Sequence, residues 1–460
     1  MAIPTLALGA AASVVWAILL VVYRLYVSPL SKFPGSKLAI STECYEFYHQ
    51  VIRGGQYPWV IQKMHEEYGP IIRINPHELH VNDPAFYDEI YNYKQLDKYG
   101  PHTRQFGHPN SSSNTVEHDL HKSRTSSIAP YFTRGNILHL EQEVIGETLR
   151  KLCKRIDEFR GTGKPMPIGV AYRAFTTDVI SKYTMATSFG FLDEPDFKET
   201  WFNEFLENVG MVVEKTVEKA SRAGVGTKSN SIPTVFYEMA HNEKVPAEER
   251  SLDRLTDEGV LFIVAGNETT GNALSNMTFH ILNTPRILQS LKAELSAAIP
   301  NSETIPQWRD LEHLPYLSAV IKEGLRMSYG VVSRMPRVSP NTEIRYKDWV
   351  IPPNTAVSMN NMDMHDDPSV FVNPKSFDPE RWLQPESIEL QKQLAPFCRG
   401  TRACVGMNLA YAEMYIALAT IFRRYNMELY ETSRVDVDVA HEFHIPQVKK
   451  GSKGVRMLVK

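Results

Sequence analysis

The stretch Phe397-Cys-Arg-Gly-Thr-Arg-Ala-Cys404-Val-Gly406 decides how this chain is read. It sets one cysteine, Cys404, two positions after Arg402, with glycines at 400 and 406. Immediately downstream Leu409, Ala412, Ile416, Ala419 and Phe422 recur every three or four residues, the period of a helix with one apolar face. Cys404 therefore sits just ahead of a helix N-terminus, where the helix dipole and free N–H groups favour a thiolate. A thiolate so placed can ligate a soft metal. Gly400 and Gly406 would let backbone approach a flat group closely. Arg402 would offer a cation to a carboxylate on that group. A lone cysteine beside a glycine turn is more often a buried structural residue. Here the whole spacing Phe-x-x-Gly-x-Arg-x-Cys-x-Gly is present, which favours the ligand. Cys398 lacks a glycine and an arginine at the same offsets and reads as loop filler.

This spacing resembles the haem-binding loop of the cytochrome P450 family at every fixed position. The resemblance implies that Cys404 is the axial ligand of haem b (iron protoporphyrin IX), with Phe397, Gly400, Arg402 and Gly406 around it. It also implies a haem-thiolate monooxygenase. Such an enzyme activates O2 reductively and inserts one oxygen atom into an organic substrate, a task suited to a thiolate that pushes electron density toward the O–O bond. The partners implied are NADPH-cytochrome P450 reductase, through which NADPH is used, O2, and a lipophilic small molecule.

The bulk numbers agree. With 460 residues, 43% hydrophobic and 22% charged, the chain can bury a large core. A net charge of −3 gives no nucleic-acid footprint. The four cysteines (44, 153, 398 and 404) contain no Cys-x-x-Cys pair, so neither a zinc site nor a disulfide framework is expected. A reducing, cytosol-facing setting fits.

Leu6 to Tyr23 is uncharged and almost wholly apolar, near the roughly 20 residues that span a bilayer. Arg24, Lys32 and Lys37 follow it and no Lys or Arg precedes it, so the body is expected in the cytosol. A cleaved signal peptide would start with basic residues, and this one does not. Residues 1–24 are thus expected to be an N-terminal transmembrane helix and 25–40 a Pro/Gly hinge around Pro34-Gly35. By resemblance the anchor lies in the endoplasmic reticulum membrane, crosses it once, and carries a monooxygenase domain over 41–460.

A long helix is expected over Val260 to Leu282, containing Ala265-Gly-Asn-Glu-Thr-Thr270. Ala265 and Thr269 share one face. Gly266 costs roughly 1 kcal/mol inside a helix, which suggests a close approach or a local widening. An acid followed by an alcohol is what proton delivery to dioxygen requires: Thr269 to hold a water, Glu268 to relay protons. The segment resembles the family's oxygen-activation helix, which makes Gly266, Glu268 and Thr269 catalytic candidates and Ala265 a substrate contact. Asn267 and Asn276 begin glycosylation sequons that a helical, cytosolic position would make incidental.

Glu323 and Arg326 lie three apart on one helix face, alone an ordinary surface pair. They match the family's Glu-x-x-Arg, which joins an arginine here matched by Arg381, and a bracing network of the three is expected behind the cysteine loop. By the same resemblance Val331, Val332 and Ser333 face the substrate and Arg337 meets a haem propionate. His121 matches a family position that reaches a propionate. Thr125 replaces the arginine expected four residues later, and Arg124 is one step, about 100°, out of place.

Short strands are expected at Ile71 to Ile74, Leu79 to Val81, within Tyr346 to Met359 around Pro352-Pro353, and at Val435 to Val439. A terminal hairpin is expected to turn at Lys449 to Lys453. Phe175 to Phe191 reads as a core helix. Trp201 to Ser221 is helical in pattern and Arg222 to Ser231 is a loop. Family members usually carry a long helix pair here, so the roof over the substrate is expected to be shortened near 201–232. The fold expected is mainly α with small β-sheets, the cytochrome P450 fold. The hinge and the Ala-Gly-Asn-Glu-Thr-Thr segment look most like fungal enzymes of secondary metabolism, including terpenoid oxygenases of the trichodiene-oxygenase type. The expected reaction is hydroxylation or epoxidation. The alternative is a non-catalytic or O2-independent haem-thiolate paralogue, an isomerase or dehydratase.

Overall fold

A computed structural model describes residues 2–105, 107–198, 210–219 and 235–460. Helix α1 (Ala2–Val22) runs on as a π-helical turn over Tyr23–Val27. Its Leu8–Val27 stretch, 20 residues long, is apolar enough to cross a membrane and none of it is buried in the protein. The Pro/Gly stretch that follows lies on the body. Phe33 is buried and stacks on Trp349, their rings 5.0 Å apart, and Lys32 Nζ donates to the Val350 carbonyl at 2.8 Å.

Strands β1 (Ile71–Arg73) and β2 (Glu78–Val81) form the expected hairpin. They edge a five-stranded sheet in the order β1-β2-β7-β4-β3, with β3 at Asp97–Lys98, β4 at Arg337–Val338 and β7 at Ala356–Ser358. Between β4 and β7, β5 (Ile344–Tyr346) and β6 (Trp349–Ile351) make a separate hairpin. Tyr346 thus belongs to the strand before the one expected.

Four helices build the main core. Helix α2 (Ile168–Met185) is buried along nearly its whole length. It ends earlier than Phe191, because Asp178 caps the following turn by accepting from the Phe191 and Leu192 N–H groups at 2.9 and 3.0 Å. Helix α3 (Leu252–Asn283) has no internal proline and stops before Thr284-Pro285. Helix α4 (Pro315–Ser328) starts on a proline and ends where Tyr329 turns left-handed. Helix α5 (Met407–Arg424) follows the cysteine loop directly, with Gly406 at its N-cap.

Helix α2 lies against α3 at two glycines. A Cβ at Gly266 would sit 2.8 Å from Ile180 Cγ1, and one at Gly271 would sit 3.0 Å from Arg173 Cγ. Between them Thr176 Oγ1 donates to the Asn267 carbonyl at 2.8 Å, and Asn267 Nδ2 donates to Thr177 Oγ1 at 2.5 Å. Gly266 is therefore explained by helix packing.

Two expectations at the C-terminus fail. Val435 to Val439 is no strand: Ser433 and Asp436 form a reciprocal cap that turns the chain into a 3-10 helix over Arg434–Asp436. The segments flanking Lys449 to Lys453 do not pair with each other. Ile445–Gln447 pairs with His441–Phe443, and Met457–Val459 pairs with Met427–Leu429. The expected roof at 201–232 falls largely outside the described residues. Within it 210–219 is helical, with Val213 and Val217 buried.

Candidate haem site

Cys404 stands at the mouth of α5. Its N–H donates to the Phe397 carbonyl at 2.8 Å, which closes the loop on itself, and Gly400–Arg402 forms a 3-10 turn inside it. Gly400 is left-handed at φ +68°, and a Cβ there would lie 2.3 Å from the Tyr91 carbonyl oxygen. The close approach it permits is thus to the 91–92 backbone and not to a ring. Gly406 differs: a Cβ there would meet only Cys404 Sγ, at 3.9 Å, which leaves the side of the sulfur open. Phe397 is half-buried with its ring 5.2 Å from that of Tyr411. Cys398 adopts φ +57° and its thiol points to the Arg399 carbonyl.

The Cys404 side chain is exposed, yet protein surrounds it closely enough that burial pushes its thiol pKa up, against the Gly406 N–H that pulls it down. The two facts agree if the sulfur opens onto space inside the molecule. Burial, in this enclosed setting, outweighs the helix N-terminus. A bound metal cation would reverse that balance, since a coordinating thiol is deprotonated.

Beside the loop lies a group of cations, Arg337 buried and Arg402 and Lys98 partly so. Arg402 Nη1 and Nη2 donate to the Thr115 and Val116 carbonyls at 2.9 and 2.7 Å, while its Nε is buried without a partner. Arg337 is buried, reaches the Met335 carbonyl at 3.2 Å and lies 5.1 Å over the Tyr91 ring. Lys98 donates to the Ser113 carbonyl. It pairs with Arg337 in register across β3 and β4. Burial, then Arg337 and Arg402, hold the Lys98 pKa well below its ordinary value, and burial with Arg337 brings Arg402 down to about 10. Among the described residues none of the three forms an ion pair. Buried charges need partners, and three clustered cations with an orphaned Nε fit a group that carries carboxylates. Haem, with two propionates, is such a group.

His121 is buried between the Ser112 carbonyl at 2.9 Å and the Thr401 carbonyl at 3.2 Å. Burial, then Arg402, push its pKa down to about 4. It ties the cysteine loop to the helix His118–Ser126, and both ring nitrogens already face backbone carbonyls. Arg124 is engaged elsewhere, with Glu249 at 3.2 Å and Thr115 at 2.8 Å.

Behind the loop, Glu323 and Arg326 are both fully buried and joined twice, at 3.0 and 2.8 Å. Arg381 Nε, Trp382 Nε1 and the Asp378 N–H also donate to Glu323, at 3.2, 2.9 and 2.9 Å. Arg326 Nη1 continues to the His365 carbonyl at 2.8 Å, and His365 Nε2 accepts from the Ala395 N–H at 3.1 Å. A hydrogen-bonded path therefore runs from α4 to within two residues of Phe397.

On α3, Ala265 is exposed midway along a largely buried helix and Thr269, one turn on, is half-buried. Thr269 Oγ1 donates to the Ala265 carbonyl at 2.8 Å. Glu268 is buried and pairs with Arg173 at 3.5 Å. Burial raises its carboxyl pKa and Arg173 opposes that. Of the three loop residues expected at the substrate, Val332 is fully buried in a cluster with Tyr329 and Met362. Ser333 is buried and donates to Glu442. Only Val331 is partly open. These two side chains face inward because the loop is clamped to the 441–443 strand.

Four residues at the site carried no local signal. Lys98 and Arg173 meet their partners across long separations in sequence. His365 joins the Glu323 path through its backbone. Glu413 on α5 is buried against Thr270 of α3, and its second carboxyl oxygen has no partner.

The sequence model of the protein family described as Cytochrome P450 matches residues 44–220 and 212–451, two pieces that meet inside the expected roof. The chain is 39% identical to the cytochrome P450 monooxygenase sdnE of Sordaria araneosa, over 96% of this chain and 95% of that one. It is 38% identical to the tryptophan 6-hydroxylase fscE of Fusarium equiseti, over 96% and 94%. It is 37% identical to the conidiogenone synthase PchP450 of Penicillium rubens, over 96% of each. The first alignment runs over 493 positions, more than the 460 residues of this chain, so the relative holds residues with no counterpart here.

Proposed function

The chain belongs to the cytochrome P450 family, and from that premise we propose that it hydroxylates or epoxidises a lipophilic secondary metabolite with electrons from NADPH-cytochrome P450 reductase. That it is a monooxygenase of fungal secondary metabolism follows from its relatives; the substrate, the reductase and the membrane are our reading. The observation that carries it is the exposed, enclosed Cys404 beside Arg337, Arg402 and Lys98, which form no ion pair among the described residues.

Haem b, when bound, supplies activation of O2 and insertion of one oxygen atom. Cys404 would hold its iron, and Arg402, Arg337 and Lys98 would take its propionates. His121 holds the loop by Thr401. The Glu323–Arg326–Arg381 network keeps the loop in place from behind. Glu268 stands between Arg173, whose side chain reaches solvent, and Thr269, which faces the open side of α3. A carboxyl with a raised pKa can accept a proton from outside and pass it to a water held by Thr269. Ala265 and Val331 would line the substrate side.

A terpenoid is the first substrate class to test, from the motif resemblance. An indole amino acid is the second, because one relative is named a tryptophan 6-hydroxylase. The shortened roof near 201–232 is supported by the split family match and the overlong alignment. The anchor over 1–24 and a place in the endoplasmic reticulum membrane are supported by the apolar helix. The test is a carbon-monoxide difference spectrum of reduced microsomes with Cys404→Ser as control, followed by NADPH-dependent turnover of both substrate classes. A red-shifted, thiolate-type band lost in the control, with product from either class, is expected. A normal band with no NADPH-dependent product would favour the O2-independent or non-catalytic alternative.

A further inference from the structure

Two histidines and an aspartate form a buried row away from the cysteine loop. His80 on β2 is fully buried. His65, on the helix Tyr57–Tyr68, and Asp363, on the helix Asn361–His365, are buried on either side of it. His65 Nδ1 faces the Gly69 carbonyl at 2.8 Å, and its Nε2 faces His80 Nδ1 at 2.8 Å. His80 Nε2 in turn faces Asp363 Oδ2 at 4.0 Å and has no hydrogen-bond partner among the described residues. Asp363 Oδ1 accepts from Gln62 Nε2 at 2.7 Å.

The Gly69 carbonyl fixes where the protons lie. A carbonyl can only accept, so His65 Nδ1 carries a hydrogen and, in a neutral ring, Nε2 does not. His80 Nδ1 must then be the donor between the rings, which leaves His80 Nε2 a bare acceptor. Both rings are neutral at neutral pH: burial, then His65 and Arg334, hold the His80 pKa well below its ordinary value, and burial brings His65 down to about 4. The bare nitrogen looks at a carboxyl oxygen. Without a proton, these are two buried acceptors left facing each other, an unfavourable arrangement. One proton on Asp363 makes them donor and acceptor, and an approach of about 1 Å would bring them to hydrogen-bond distance. Burial, against the Gln62 hydrogen bond, raises the Asp363 pKa to about 7. The other charges around the row are engaged. Arg334 is held by Glu46 and Glu78, and Ser358, opposite His80 on β7, donates to Glu78. Lys375 pairs with Asp366 at 2.6 Å, and Asp366 and Asp367 both push the Asp363 pKa up.

Asp363 lies two residues before His365, whose carbonyl accepts from Arg326 and whose ring accepts from the Ala395 N–H. We propose that a proton held between Asp363 and His80 draws the helix Asn361–His365 onto β2 and, through His365, steadies the cysteine loop, so that the grip on haem loosens as pH rises through neutrality. Asp363 is thus a positioning residue. The proton, and the hold with it, are present below its raised pKa and lost above it. The effect on haem rests on the reading of Cys404 as the iron ligand.

The test compares the wild type with Asp363→Asn, whose amide N–H gives His80 Nε2 a permanent donor. His80→Gln, whose amide gives Asp363 a donor instead, serves as a second variant should the first misfold. On the full chain in detergent, the infrared band of neutral carboxyls and the rate of haem transfer to an acceptor protein are read from about pH 6 to about pH 8, one unit either side of the Asp363 pKa. Across this range the wild-type band is expected to lose one carboxyl more than that of either variant. Relative to either variant, wild-type haem transfer should quicken by up to roughly tenfold, as the unprotonated share of Asp363 goes from about a tenth to about nine-tenths. A wild type that matches the variants in both readouts at every pH would overturn the proposal. A carboxyl lost in the wild type alone, with haem transfer equal in all, would overturn the hold on the cysteine loop. A protein that takes up no haem would overturn the haem reading and this hold with it, while the infrared band would still show whether Asp363 carries the proton.

Discussion

Glu323→Gln removes one negative charge from the middle of five hydrogen bonds. Its donors are two nitrogens of Arg326, Arg381 Nε, Trp382 Nε1 and the Asp378 N–H, all between 2.8 and 3.2 Å. Counted singly, at about 1.5–3 kcal/mol for each bond to a charged group, they would sum to roughly 10 kcal/mol. That is the entire stability of a domain, and the donors share one acceptor, so they cannot add. The governing quantity is the loss of one member of a buried ion pair, about 3–5 kcal/mol, because Arg326 is left fully buried without a counter-charge. Trp382→Phe removes one neutral donor to that carboxylate and is expected to cost about 1.5–3 kcal/mol. The assay is guanidinium unfolding followed by haem absorbance, together with the rate of haem transfer to an acceptor protein. Glu323→Gln should lose haem first and fastest, since the path through His365 to Ala395 starts at Arg326. An unfolding free energy within about 1 kcal/mol of wild type, with unchanged haem transfer, would refute the reasoning.

Four further outcomes are expected. Thr269→Ala should lower product formed per NADPH consumed by roughly 10–100-fold, read by product and NADPH assays. Turnover that draws its proton from Glu268 should fall as pH rises through that group's raised pKa, and Arg173→Ala, which removes the opposing cation, should move this limb to higher pH. Glu413 has its pKa raised well above the carboxylate value by burial, so the native state holds a proton that the unfolded chain releases. Stability should therefore fall as pH rises above the unfolded value, by up to about 1.4 kcal/mol per pH unit, and Glu413→Gln should flatten that slope in thermal melts. Lys98→Met should stabilise the protein without haem, because it removes an amine whose charge the enclosed site, Arg337 and Arg402 disfavour, and, on the proposed role of Lys98 toward a propionate, should speed haem loss. Calorimetry and haem transfer would read the two effects.

The cysteine loop was legible because its parts are local: ten residues, one turn, one helix start. The Glu323–Arg326 pair was legible for the same reason, one turn of α4, and Arg381 followed from a motif. Lys98 was not, because nothing in Asp97-Lys98-Tyr99 announces that β3 will pair with β4 and set its amine beside Arg337. Gly266 was singled out for either a close approach or a local widening, and the close neighbour, Ile180, lies on another helix that the local sequence does not name. The strand expected at Val435 to Val439 shows the opposite error. Alternating valines and aspartates fit a strand, and a cap between Ser433 and Asp436 overrode them. Val332 and Ser333 were expected to face the substrate, and a loop sequence does not say what its side chains will meet once the loop is clamped. Glu442 decided that from more than 100 residues away in sequence.

The contacts of the cysteine loop also set when it can be built during synthesis. His118 and His121 meet Thr401, and Arg402 meets Thr115 and Val116, across separations of 280 to 287 residues. Gly400 rests on the backbone at Tyr91, and Gly330 on that at Pro396. The surfaces these hydrogen bonds and glycine contacts reach at 91–121 are translated long before the loop itself. A nascent chain therefore waits on the ribosome with Arg337 awaiting burial and with α3 facing no α5. Such a chain exposes apolar surface for most of its synthesis. Cys404 is made after seven-eighths of the chain, so a haem held there would be captured only once most of the protein already exists.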